Sequence, residues 1–200
     1  LLAAATVAIA WRAEAALWAL PAAGVLAAAV MIQWAAPEFV ETLVLSPGVT
    51  RSAIPGPPAG TTLHLAFGAA LAVILELPAF AAQGRTATAL NAQLWSLTGV
   101  VVPIVILIAL YLRIANLDRS IPFAGLALAL AALFGYATEY LSKRQPQPGL
   151  ASAAAIYAAG AVASLALALT FVLDKGWLTV GLALMVPGIA WISEQRPLPA

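Results

Sequence analysis

Two residues stand where an ionisable side chain carries chemistry in an apolar chain: His64 and Glu76, twelve residues apart in one hydrophobic segment. Glu76 falls some fifteen residues into that segment, flanked by Leu75, Leu77 and Pro78. An ionisable group at the centre of a bilayer costs at least roughly 2.5 kcal/mol on insertion, so such a carboxyl is a candidate proton carrier or cation ligand. The bland alternative is a carboxylate in the last helical turn, reaching headgroups or a neighbouring helix. His64, one turn into the same segment, is read as an interfacial or hydrogen-bonded histidine; ligation of a haem or chlorophyll-type pigment has no second cue in the sequence. On a helix the two are separated by roughly 18 Å of rise and cannot touch, so a relay between them needs groups from other helices.

The remaining charges lie at segment ends. Arg12, Asp118, Arg119, Glu139, Asp174 and Lys175 are assigned to the membrane interfaces. There Asp118 and Asp174 would cap free helix amides, and Arg113, Arg119 and Lys175 would snorkel to headgroups. Glu139 closes its segment with Tyr136 and Tyr140, and Arg12 with Glu14 marks the boundary between the first two segments. No P-loop, nucleophile elbow, zinc-protease motif or dinucleotide fingerprint occurs, so the expectation is a protein without catalytic residues or cofactor. Nine basic residues against eight acidic ones leave no basic face for nucleic acid, and no cysteine and one histidine leave no Cys/His metal set.

The segments that must position these residues are read from composition. With 64% hydrophobic and 8% charged residues, the chain is far from the soluble average of about 25% charged. At roughly 20 apolar residues per crossing, the expectation is an all-α polytopic transmembrane helix bundle of about seven spans, the first truncated. Leu1 to Ala10 is the tail of that first helix. Ala15 to Trp34 is the second span, its Trp18 and Trp34 sixteen residues apart, roughly 24 Å between two aromatic belts. Residues 36–60, with five prolines, read as an extramembrane or interfacial loop in which FVETLVL forms a short helix. Further spans are expected at about Thr61–Ala82, Leu94–Arg113, Ile121–Leu141 and Ala151–Leu173. The fourth, with its β-branched VVVPIVILIAL core, is expected to face lipid and to kink at Pro103. The sixth, with Gly160 and Ser164 four apart, is expected to pack closely.

The seventh span, Asp174 to Trp191, repeats part of the fifth at an offset of 56 residues: Leu117-Asp118-Arg119 against Leu173-Asp174-Lys175, and GLAL at 125–128 against 181–184. The implied unit is a helix pair, over 94–141 and 151–192, running in the same sense. The positive-inside count, five basic residues against four, sets no orientation.

The run WLTVGLALMVPGIAW, Trp177 to Trp191, followed by Pro197-Leu198-Pro199-Ala200, resembles a stretch of a bacterial family of polytopic membrane proteins, domain of unknown function 2339. The resemblance is strongest over about the last thirty residues. It implies a fragment of a longer chain in a bacterial inner membrane, partnered by lipid and by other membrane subunits or its own remainder. It carries no catalytic residue. The functional expectation is a non-catalytic structural or assembly component; the alternative is part of a transporter or channel with Glu76 on a polar path.

Overall fold

A computed structural model describes residues 1–45, 60–144, 147–173 and 183. Among these every regular element is helical. Helix α1 spans Leu2–Arg12 and is followed by a single 3-10 turn at Glu14–Ala16. The others are α2 Ala19–Leu45, α3 Thr61–Ala81, α4 Ala89–Ala115, α5 Ile121–Ser142 and α6 Leu150–Val172. Five of these are long and apolar enough to cross a membrane, and α1 is a shorter apolar helix. The expected seventh span, with Asp174 and Lys175 and the second copy of the repeat, lies outside the described residues, as do residues 46–59 of the expected loop.

The boundaries follow local chemistry. Thr88 caps α4 by accepting the Asn91 amide at 3.3 Å, so α4 begins five residues before the expected Leu94. Glycines in the left-handed region precede α3 and α6, Gly60 and Gly149 respectively. Pro78 and Pro103 lie inside α3 and α4 without ending either helix. Helix α2 runs on to Leu45, past the expected end at Trp34, so the first part of the 36–60 stretch continues the helix, while the membrane-length apolar segment ends at Ala36. The turn from α4 to α5 passes through two left-handed residues, Asn116 (φ 48°) and Leu117 (φ 62°). The cap position of α5 is Ser120, without a side-chain cap bond, and the Asp118 carbonyl accepts the Tyr111 hydroxyl at 2.9 Å.

Helix α4 is the hub, packing against α2, α3 and α6 and more thinly against α5. Of its most apolar stretch 61% is buried, against 22–33% for the other four spans. This overturns the expectation that α4 faces lipid. Its β-branched side chains are dense and low in rotamer entropy, which suits close packing as well as a lipid face, and composition alone does not separate the two. Lipid chains are as apolar as Leu, so helices in a membrane associate where small residues let backbones approach. Each neighbour meets α4 in that way. A Cβ added at Gly24 of α2 would lie 2.9 Å from Val102, one at Gly68 of α3 3.0 Å from Ile106, and one at Gly160 of α6 2.5 Å from Val100. On the α4 side, a Cβ at Gly99 would lie 2.6 Å from the Ala79 Cβ of α3. The expected close packing of α6 at Gly160 and Ser164 is present, both residues being buried. Helices α5 and α6 form an antiparallel hairpin, closed at its far end by the Ser120 amide donating to the Phe171 carbonyl at 2.8 Å.

Candidate functional site

Alternation of the helices puts the end of α2, the start of α3 and the end of α4 at one side of the bundle. His64, in the first turn of α3, is fully buried there. The Arg113 Nη1 donates to its Nδ1 at 3.1 Å. Because a guanidinium only donates, Nδ1 is the acceptor, and a neutral ring carries its proton on Nε2. In that tautomer neither ring nitrogen offers a lone pair to a haem or pigment metal. Trp34 of α2 completes the group, its ring centroid 4.4 Å from the imidazole and 5.2 Å from the Arg113 Cζ. Arg113, expected to reach headgroups, is thus 2% exposed and packed against an indole and an imidazole. The indole face attracts the cation and replaces part of its hydration, which is why burial is tolerated.

Glu76 belongs to a different layer. It is half-buried where α3, α4 and α6 converge, and its Cα lies 3.7 Å from the point where a Gly99 side chain would begin. The Tyr157 hydroxyl of α6 lies 3.4 Å from the same point, is buried, and has no hydrogen-bond partner. Gly99 is ten residues into α4, roughly 15 Å of rise, so Glu76 sits well below the helix ends. Phe80, one turn on from Glu76, packs against Tyr140 and Tyr157 at 5.4 and 6.2 Å. The fold therefore does not bring Glu76 and His64 together. Between the Gly99 and Arg113 levels of α4, roughly 21 Å apart along the helix, the buried side chains are Val100, Val102, Pro103, Ile106, Leu107, Ala109, Leu110 and Tyr111.

A third group sits at the bundle end that holds the close of α3 and the start of α4. Glu14 accepts the Ala87 amide and the Asn91 side-chain amide, each at 3.1 Å. It ties the start of α2 to the α3–α4 connection, a role that its place at a span boundary does not reveal. Gln83 supports the same connection, its Nε2 donating to the Ala79 and Ala92 carbonyls at 3.0 and 3.3 Å. Arg85 lies over the Trp11 ring at 5.4 Å, and Trp11 meets Trp95 edge-on at 6.1 Å.

With this geometry in view, one family matches: predicted membrane proteins designated DUF2339, over residues 1–199. The chain belongs to that family. The match spans nearly the whole sequence rather than the C-terminal segment alone. No curated protein and no solved structure matches the chain.

Other described charges of this DUF2339 chain, Arg12, Asp118, Arg119, Glu139 and Lys143, lie near helix ends. Arg12 and Arg119 are exposed and Asp118 is half-buried. Glu139 pairs with Lys143 at 3.2 Å in the last turn of α5. Among the described residues no group of three His, Cys, Asp or Glu is placed to hold a metal ion. Tyr157 carries no sequence signal beyond being a tyrosine in an Ala-rich helix. Arg113 and His64 could have been paired by topology, since alternating spans place both at the same level.

Proposed function

We propose that this chain is a non-catalytic structural or assembly component of a membrane complex, in a bacterial cytoplasmic membrane, joined to other membrane subunits or to further parts of its own chain. The observation that carries this reading is the apolar layer of α4. The polar groups at His64 and at Glu76 are separated along α4 by roughly 21 Å, over which its buried side chains are apolar except for Tyr111. A solute or proton path needs polar side chains or water through that layer. Three hollows among the described residues are lined almost wholly by apolar side chains, and Glu76 lines neither these nor the smaller one beside Trp95. The outer faces of α3 and α5 keep large apolar residues exposed, among them Leu63, Phe67, Val73 and Leu77. Such faces suit lipid or neighbouring helices.

Purification of the natural protein in mild detergent, followed by native mass spectrometry, tests the assembly role. The expected outcome is a membrane protein subunit held at fixed stoichiometry. A lone protein, with the membrane solubilised gently enough to keep known complexes intact, contradicts it. A second reading, a transporter with Glu76 on its path, draws on the unpartnered Tyr157 hydroxyl beside Glu76.

A further inference from the structure

Two hollows, one apolar and one with both polar and apolar walls, share Trp11. The first, about 540 Å³, runs between α1 and α3 past Val7, Ala8, Ile74 and Leu77 and ends at Trp11 and Arg12. The second, about 190 Å³, lies beyond Trp11, with Ala10, Leu17, Ala82 and Trp95 as apolar walls and Glu14, Arg85 and Thr86 as its polar groups. Along α1 the apolar hollow extends from Ala4 to Trp11, roughly 10 Å of rise, about a third of the hydrocarbon thickness. It closes where a tryptophan and an arginine stand together at a helix end, the level of the headgroups. An apolar trough leading into a small polar chamber at that depth fits an amphiphile.

The polar chamber selects the head. It holds one guanidinium, one carboxylate and one hydroxyl. Neither Arg12 nor Arg85 makes an ion pair with a described residue. The Thr86 Oγ1 is buried without a hydrogen-bond partner. Both oxygens of Glu14 are held by neutral donors, Ala87 N–H and Asn91 Nδ2, so the carboxylate is fixed in place and its charge is not neutralised. Groups of both signs, held apart by separate anchors, are complementary to a zwitterion. A head with phosphate alone would leave Glu14 facing like charge. A quaternary ammonium has no N–H to give it.

We propose that these two hollows hold a phospholipid whose head carries a phosphate and a primary ammonium. Arg85 and Thr86 donate to the phosphate, Glu14 accepts from the ammonium, Trp11 packs against the glycerol region, and one acyl chain lies along α1 and α3. This is independent of whether the chain serves as an assembly component.

The test is native mass spectrometry of the purified protein in mild detergent, offered equal amounts of phosphatidylethanolamine, phosphatidylglycerol and phosphatidylcholine. Phosphatidylethanolamine should be retained about ten-fold over each of the others, the worth of one charge-assisted hydrogen bond. Glu14→Gln, which keeps an oxygen for the Ala87 amide, should remove the preference by lowering phosphatidylethanolamine retention, while phosphatidylglycerol retention does not fall. Arg85→Gln should lower retention of all three about five-fold, and Arg85→Lys should restore it. Equal retention by the wild type, a preference for phosphatidylglycerol, or an unchanged preference in Glu14→Gln would overturn the proposal. So would inorganic phosphate at millimolar concentration displacing the lipid, which marks a site for the free ion. Should Arg85→Gln lose its helical circular dichroism, Glu14→Gln and Arg85→Lys still decide the matter.

Discussion

Gly149→Val is expected to cost about 3 kcal/mol or more of stability, read as a lowered midpoint of unfolding in detergent by circular dichroism. Gly149 opens α6 with φ of 82°, a region where an L side chain costs about 1–2 kcal/mol, more when β-branched. It is also wedged against the first turn of α4. An added Cβ would lie 2.6 Å from the Ala92 Cβ and 2.9 Å from the Ala89 Cα, atoms that cannot rotate away. Overpacking of that kind adds about 1–3 kcal/mol. Gly60 provides the comparison, having nearly the same φ, 81°, with nothing within 4 Å of its would-be Cβ. Gly60→Val should therefore show the conformational penalty without the clash. Equal losses at the two positions would mean that the α4–α6 contact at Gly149 is not tight.

The second large effect is expected at Arg113. Arg113→Ala removes a charge-assisted hydrogen bond to His64, worth about 1.5–3 kcal/mol, and a desolvated cation–π contact with Trp34, worth about 2 kcal/mol. A loss of about 3 kcal/mol is expected by the same unfolding measurement. Arg113→Lys should recover less than half of it, since an ammonium lacks the planar face that stacks on an indole. The exposed Arg119→Ala, two turns of chain away, should stay within about 0.5 kcal/mol of wild type. A full rescue by lysine would show that only net charge matters at this position.

Much of the bundle was legible from the sequence because the bilayer constrains it so strongly. A stretch of some twenty apolar residues has few structures open to it; the expected Thr61–Ala82 and Ile121–Leu141 differ from the observed helices by one residue at one end, and Ala151–Leu173 by one residue at each end. The start of α4 was missed because the expected span began with the apolar run at Leu94, whereas the Thr88 side chain caps the helix further upstream. The hub role of α4 was not legible either. Hydrophobicity distinguishes membrane from water, but a lipid chain and a neighbouring leucine are equivalent to it. What separates them is where the glycines of the other helices fall, at Gly24, Gly68 and Gly160, which is a property of the set of helices and not of α4.

The candidate residues divide in the same way. His64 was read as interfacial or hydrogen-bonded, and the structure gives it Arg113 as a hydrogen-bond partner. Its partner was missed because an arginine in a last helical turn ordinarily extends to the headgroups, whereas here it stacks on the indole of Trp34 from a third helix. Glu76 was placed below the interface by counting residues, and the structure sets it against Gly99 and Tyr157. The role of Glu14 depends on Ala87 and Asn91, more than seventy residues away, and no local pattern signals it.

The most direct test of the account is proton flux into sealed vesicles carrying the purified protein, followed with an internal pH-sensitive dye under an imposed gradient, for wild type and Glu76→Gln. A bundle whose polar layers are separated by packed aliphatic side chains should leak no faster than protein-free vesicles, and the substitution should change nothing. Flux above that background in the wild type, abolished in Glu76→Gln, would place Glu76 on a conducting path and contradict the assembly role.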